Sequence, residues 1–300
     1  MKKRLPLLVA LGTAYSFYKM FQLQHREVKS HQWDRNHPRR ALITGASSGI
    51  GAEFARQLAR DGYDLVVLAR RENRLRALAA DLHRAYGIQV EVIVADLNNA
   101  EDLERAALRA AEVKDLDLLV NNAGFGVGGR FSQVDTARNM EMVRVNVEAA
   151  VRMARAVLPG MVERGRGGII NVSSIASFLP ASGNHTYGAT KAYLNFFSES
   201  LKAELEGTGV RVQALCPGYT TSEFHDVMQV DRKTIPDMLW LKAEDVVRES
   251  LEGLREDRLY VIPGPIYRLV ASLASIPGMP PVIRMGERML RFRRFTAPEG

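Results

Sequence analysis

The sequence predicts an α/β fold built on a doubly wound parallel sheet, and three patterns carry that expectation. From Arg40 onward, short apolar runs alternate with longer stretches of 3.6-residue periodicity. Several of the short runs are apolar throughout, as strands buried on both faces must be, whereas a strand with one wet face alternates. A glycine-rich turn, Thr44-Gly45-Ala46-Ser47-Ser48-Gly49-Ile50-Gly51, follows the first run directly and opens the first helical stretch. Repeated strand-helix units of this kind wind a parallel sheet with helices on both faces.

In chain order, strands are expected over residues 41–44, 64–69, 89–94, 116–121, 168–173 and 211–216. Helices are expected over 50–61, 71–86 and 100–113, each with an apolar stripe that needs the sheet to cover it. After about Asp226 the pattern loosens. Residues 227–241 carry Pro236, Trp240 and scattered polar side chains, a helix resumes over 243–254, and Pro263, Gly264 and Pro265 break the chain before a basic apolar tail. There is no internal repeat and no low-complexity tract. The expected organisation is one domain over 39–265 with a lid-like insertion, preceded by a basic and apolar segment, 1–38, and followed by a basic amphipathic extension, 266–300.

Charge is distributed unevenly. The chain carries +7, and residues 1–40 alone account for +7, while residues 41–283 come to −3 and the last seventeen residues to +3. A nucleic-acid-binding domain needs its cations on the face that meets phosphate, so a near-neutral body with basic ends excludes that class. At 46% hydrophobic and 25% charged residues, the chain is neither disordered nor a multi-span membrane protein by composition. The single Cys216 rules out an internal disulfide, and the six scattered His show no ligand spacing, so no metal site is expected. Near the N-terminus, the uncharged run from Leu5 to Tyr18 has three readings: a membrane anchor, a helix packed on protein, or an export signal. Ala14-Tyr15-Ser16 is a poor cleavage site, and the cations that follow the run place the body on the cytoplasmic side of any membrane it anchors to.

The glycine turn has a physical sense as a phosphate cradle. Gly45 permits the tight turn, Gly49 lets backbone approach a pyrophosphate, and Gly51 allows close helix packing under a positive helix N-terminus. Its G-x-x-x-G-x-G spacing resembles the short-chain dehydrogenase/reductase family, whose fold is of the Rossmann type. The resemblance continues through Asp96-Leu97, Asn121-Asn122-Ala123-Gly124, Tyr187-Gly188-Ala189-Thr190-Lys191 and Pro217-Gly218, in family order over residues 39–265. It implies that a nicotinamide cofactor meets Gly45, Ser47, Ser48, Gly49, Ile50 and Gly51 at its pyrophosphate, Asp96 and Leu97 at its adenine, and Asn122, Ala123 and Gly124 between. It implies further contacts from Tyr187, Lys191, Pro217 and Gly218. The family's carboxamide-binding Thr falls at Ser222, with Thr220 and Thr221 just before it. Where an NAD enzyme of this type tends to place a carboxylate, the second strand ends in Ala69 followed by Arg70 and Arg71, which suits the 2′-phosphate of NADP(H).

The same resemblance implies a catalytic set. Tyr187 and Lys191 stand four apart on one helix face, and Ser174 precedes Tyr187 by thirteen residues, the family's separation. Ser173 is the second choice, since neighbouring side chains at a strand end point opposite ways. Asn146 falls at the family's fourth catalytic position. Hydride transfer at a carbinol carbon must be matched by proton transfer at its oxygen, and a free Tyr, with a pKa of about 10, is a poor base unless nearby positive charge favours phenolate. Lys191 would supply that charge and hold the nicotinamide ribose, Ser174 would bond the substrate oxygen, and Asn146 would hold a water that links Lys191 to solvent. His185 is read either as a substrate contact or as a solvated loop residue.

The function expected is NADP(H)-dependent exchange of hydride with a secondary alcohol or ketone by a homo-oligomer, a dimer or tetramer. Phe224, Val227, Met228, Ile235, Met238, Leu239 and Trp240 make the insertion apolar, so they either cover a lipophilic substrate or pack on the domain or a second subunit. The alternatives are a sugar-nucleotide epimerase of the same fold and a sensor or scaffold that binds NADP(H) without turnover.

Overall fold

The computed structural model describes residues 39–221 and 235–274. Seven parallel strands form one sheet in the order β3-β2-β1-β4-β5-β6-β7. They are β1 (Arg40–Thr44), β2 (Asp64–Ala69), β3 (Val90–Val94), β4 (Leu116–Asn121), β5 (Gly167–Val172), β6 (Val210–Leu215) and β7 (Tyr260–Val261). The described α-helices are α1 (Gly49–Arg60), α2 (Glu72–Tyr86), α3 (Ala100–Glu112), α4 (Thr136–Val143), α5 (Ala149–Glu163), α6 (His185–Glu204), α7 (Ala243–Arg255) and α8 (Pro265–Ala274).

Strand alternation sorts the sheet's side chains into two cores. Ile43, Leu65 and Val67 face one side with Phe54 and Leu58 of α1, Leu75 of α2 and Val246 and Leu251 of α7. Leu42, Val66 and Leu68 face the other with Leu103 of α3, Met153 and Val157 of α5 and Leu201 of α6. A side chain such as Phe54, wholly removed from water, contributes roughly 1.5–3 kcal/mol, so these two layers hold the fold together.

Helix ends follow local chemistry. Asn99 caps α3 by accepting from the amides of Glu101 (2.9 Å) and Asp102 (3.0 Å), ahead of an acidic first turn that suits the helix dipole. Gly87 ends α2 in the left-handed conformation at φ 71°, which a side chain would resist.

Three features depart from the expected pattern. Between α4 and α5 the chain forms a π-helical turn, Arg144–Glu148, closed by the Ala149 amide on the Arg144 carbonyl. β7 is too short to show a period. Pro265 stands at the first position of α8, where its missing N–H costs nothing, so the Pro-Gly-Pro stretch starts a helix that buries Tyr267 and Ala271. No helix among the described residues is long and apolar enough to cross a membrane. The N-terminal segment, the basic tail beyond 274 and, within the insertion, Ser222, Phe224, Val227 and Met228 lie outside the described residues.

Candidate active site

All seven strands run the same way, and the chain reverses its direction of winding between the neighbours β1 and β4. The loops that leave their C-terminal ends diverge there and leave a crevice, the usual ligand position of such sheets. Thr44 ties the two loops together. Its hydroxyl accepts from the amides of Asn122 and Ala123, both at 3.0 Å, and the Asn122 side chain donates to the Thr44 carbonyl at 2.9 Å. Asn122 thus holds the crevice in shape through its side chain. Gly45 turns at φ +68°, and a methyl there would fall 2.8 Å from Asn122 Nδ2. A methyl on Gly51 would fall 2.4 Å from the same nitrogen and 2.5 Å from the Gly45 carbonyl oxygen, so only glycine lets α1 approach this closely.

The residues present fit a phosphorylated dinucleotide. Gly49 turns at φ +56°, and α1 starts at Ser48 with no side-chain cap, so its first amides point into the loop together with the positive helix end. Arg71 reaches over that loop, donating from Nη2 to Ser47 Oγ (2.9 Å) and Ser48 Oγ (2.6 Å) and from Nε to Ser47 Oγ (3.1 Å). This exposed guanidinium between two hydroxyls matches a phosphate dianion. Arg70 turns instead to Asp96 at 3.7 Å, a loose surface pair of little energetic weight. Asp96 also accepts from the Asn98 amide, and Leu97 is buried beside it.

Across the crevice, the end of β5 and the first turns of α6 bring the expected catalytic residues together. The Ser174 hydroxyl hydrogen-bonds the Tyr187 phenol and accepts from the Ala176 amide at 3.1 Å. Ser173 points the other way and donates to the Lys191 carbonyl at 2.8 Å. Lys191 Nζ donates to the Val172 carbonyl at 2.7 Å and lies 5.7 Å from the centre of the Tyr187 ring. A methyl on Gly124 would approach Asn146 Oδ1 to 2.9 Å and Lys191 Nζ to 3.5 Å, so these three also meet.

The electrostatics differ from the sequence expectation. Burial pushes the Tyr187 phenol up to about 12, with the Ser174 hydrogen bond pulling the other way. Burial brings Lys191 down to about 8. The ammonium sits over the ring and is held by a strand carbonyl, so in this state it does not offset the phenol's burial. Asn146 differs as well. Its side chain is engaged with protein, Oδ1 accepting from the Phe125 amide (3.1 Å) and Nδ2 donating to the Phe125 carbonyl (3.0 Å) and to Thr190 Oγ1 (3.1 Å). It clamps the chain after Gly124 onto the catalytic helix.

Other neighbours join the parts of the site, and of these Thr190 was given no reading from the sequence. Thr190 lies inside the Tyr187-to-Lys191 motif and joins it to Asn146. His185 contacts the Gly129 carbonyl at 3.1 Å and stacks edge-on with Phe131 at 4.9 Å, which binds the loop after β4 to the start of α6. Cys216, wholly buried behind Ser173, has its thiol pushed up to about 12 by that burial. Pro217 accepts from the Ile175 amide at 2.9 Å, next to Ser174, and Thr220 pairs with Leu241. Among the described residues, no group of three or more His, Cys, Asp and Glu gathers as a metal centre would require.

A phosphate cradle on one side of the crevice and a phenol, hydroxyl and amine on the other define an oxidoreductase that works with a bound dinucleotide. The chain belongs to the short-chain dehydrogenase family, whose family model matches residues 39–233, and it is an NAD(P)-dependent oxidoreductase of alcohols and ketones. An uncharacterized oxidoreductase of Myxococcus xanthus is 43% identical over 186 residues, covering 62% of this chain and 73% of that one. Among solved structures, a short-chain dehydrogenase from Sphingobium yanoikuyae in complex with NADPH superposes at a TM-score of 0.73 with 36% identity, over 88% of this chain and 99% of that one. The bulky-bulky ketone specific alcohol dehydrogenase from Comamonas testosteroni superposes at 0.71 with 34% identity, over 88% and 98%.

Proposed function

We propose that the chain is an NADP(H)-dependent reductase of lipophilic ketones, with Tyr187 as the acid. One observation carries this reading: a buried phenol bonded to the Ser174 hydroxyl, with Lys191 behind it, at the C-terminal edge of the sheet. Ser174 holds the carbonyl oxygen. Tyr187, protonated well above neutrality, donates to that oxygen as it becomes alkoxide, and its proton returns from Lys191, which exchanges near pH 8. The cofactor, when bound, supplies the hydride. In the opposite direction the same phenol must act as base, and there positive charge at Lys191 is needed to favour phenolate.

Arg71 over Ser47 and Ser48 supports NADP(H) over NAD(H), and NADPH is present in the related Sphingobium structure. For the substrate, support comes from the described part of the insertion, where Ile235 is buried, Met238 is exposed and Trp240 packs on Tyr219, and from the bulky ketones of the Comamonas relative. Intact Ser174, Tyr187 and Lys191 weigh against a sensor without turnover. We propose further that residues 39–265 act as one catalytic domain, flanked by 1–38 as a cytoplasmic-face membrane anchor and by 266–300, whose α8 packs on the domain, and that the enzyme assembles as a homo-oligomer.

A panel of ketones assayed with NADPH and NADH tests the reading. Tyr187→Phe is expected to lower kcat by about a hundredfold or more while the variant still binds cofactor. Arg71→Ser is expected to lose about tenfold in preference for NADPH. Turnover that survives Tyr187→Phe overturns the mechanism, and equal kcat/KM with both cofactors overturns the NADP(H) assignment.

A further inference from the structure

We infer that Tyr267, on the C-terminal helix α8, is a positioning residue that fixes the loop leaving β6 and, through it, the reacting end of the cofactor cleft. The inference rests on the cofactor reading above.

The ring of Tyr267 occupies the space over Gly218. A methyl built there would fall 2.1 Å from Cζ and 2.2 and 2.4 Å from the two Cε atoms, so any residue but glycine drives the ring away. The phenol is almost wholly buried and makes two hydrogen bonds, accepting from the Tyr219 amide at 3.1 Å and donating to the Leu239 carbonyl at 2.6 Å. Those partners stand on opposite sides of the insertion, one on the stem that leads into it and one on the stem that leads out. The stems also pair directly, Leu241 N to Tyr219 O at 2.8 Å and Thr221 N to Leu241 O at 2.9 Å. Tyr267 therefore clasps both stems to the first turn of α8.

The clasp has a path to the chemistry. One residue before Gly218, the Pro217 carbonyl accepts from the Ile175 amide, and Ile175 directly follows Ser174, whose hydroxyl meets Tyr187. A ring that sets the height of Gly218 sets the turn that carries Ser174. The path is also confined to one end of the cleft. Arg71 and the phosphate loop lie at the ends of β2 and β1, whereas the clasped loop leaves β6. Strand spacing of about 4.8 Å puts β6 about 19 Å from β2. Tyr267 is therefore placed to act on the half of the dinucleotide that reacts and to leave the adenosine phosphate end alone.

Tyr267→Phe keeps the ring and removes both hydrogen bonds, and Tyr267→Leu removes the ring as well. Dissociation constants of the full chain for NADPH and for adenosine 2′,5′-bisphosphate, which has no nicotinamide end, separate the two halves. Tyr267→Phe is expected to weaken NADPH by about tenfold and the bisphosphate by less than about twofold, with Tyr267→Leu weakening NADPH further. Parallel weakening of both ligands would mean general loosening and overturn the inference, as would unchanged NADPH binding by Tyr267→Phe, the variant with the smaller demand on folding. A wild-type chain that binds neither ligand overturns the cofactor reading and takes the clasp's proposed role with it. Binding of both by wild type together with either adverse result overturns the clasp alone.

Discussion

Lys191 is a cation that the fold holds against its own charge. Burial moves it from 10.5 to about 8, so between those values the unfolded chain keeps a proton that the folded chain has released. Below about pH 8 both states are protonated and the burial penalty, on the order of 3 kcal/mol, is fully present. Stability should rise as pH climbs from about 8 to 9, where Cys216, raised from 9.0 to about 12, begins to offset the gain. Above about 10 Tyr187, raised from 10 to about 12, turns the slope downward, because the folded chain then keeps a proton that the unfolded chain loses. Lys191→Met is expected to flatten the rise, and to gain stability at pH 7 less the cost of the Val172 carbonyl left without its donor. Urea melts at intervals from pH 7 to 10 measure this, and wild type and variant changing in parallel would show that the ammonium is not its source. At this scale the sequence proposed which residues gather, and the structure shows contacts among them that the sequence did not signal. Alternation pointed Ser174 and Ser173 opposite ways, but nothing near Asn146 in the chain announces Phe125 as its partner, since that contact exists only once β4 and the π-helical turn are neighbours.

Among the elements, α6 joins two tasks. Its first turns carry Tyr187 and Lys191 inward, while its outer face presents Tyr193, 46% exposed, and Phe196, 74% exposed, with Tyr193 stacked on Phe197. Aromatic rings gathered on an open helix face are costly to hydrate and suit a second copy of the chain. If the chain assembles through this face, Tyr193→Glu combined with Phe196→Glu is expected to lower the mass measured by light scattering to that of one chain, and an unchanged mass would overturn that role for the face. The strands were legible because runs such as Asp64–Ala69 are apolar on both faces, and α3 because its apolar residues recur at helical spacing. The π-helical turn was not, because one extra residue in a helical ladder leaves the apolar period almost intact. β7 was not either, because two residues carry no period at all.

For the molecule as a whole, the positive charge lies at the ends of the chain and the body is near neutral. If residues 1–38 anchor it, the full chain should sediment with membranes and a chain lacking residues 1–30 should stay in the supernatant. The same distribution for both would overturn the anchor. Order along the chain gave the Rossmann-type sheet, since each motif names the strand it follows. What it left out are ties between distant segments: the grip of Tyr267 on Gly218 joins residues with no shared period or motif and holds α8 against the domain. The sulfhydryl of Cys216 gives that interior a clock. It is the only thiol in the chain, it is sealed at the end of β6 between β5 and β7, and it resists ionisation. Reagents that consume thiolate can reach it only when the structure around the end of β6 opens, so the rate at which they do so counts openings of the folded enzyme at that end.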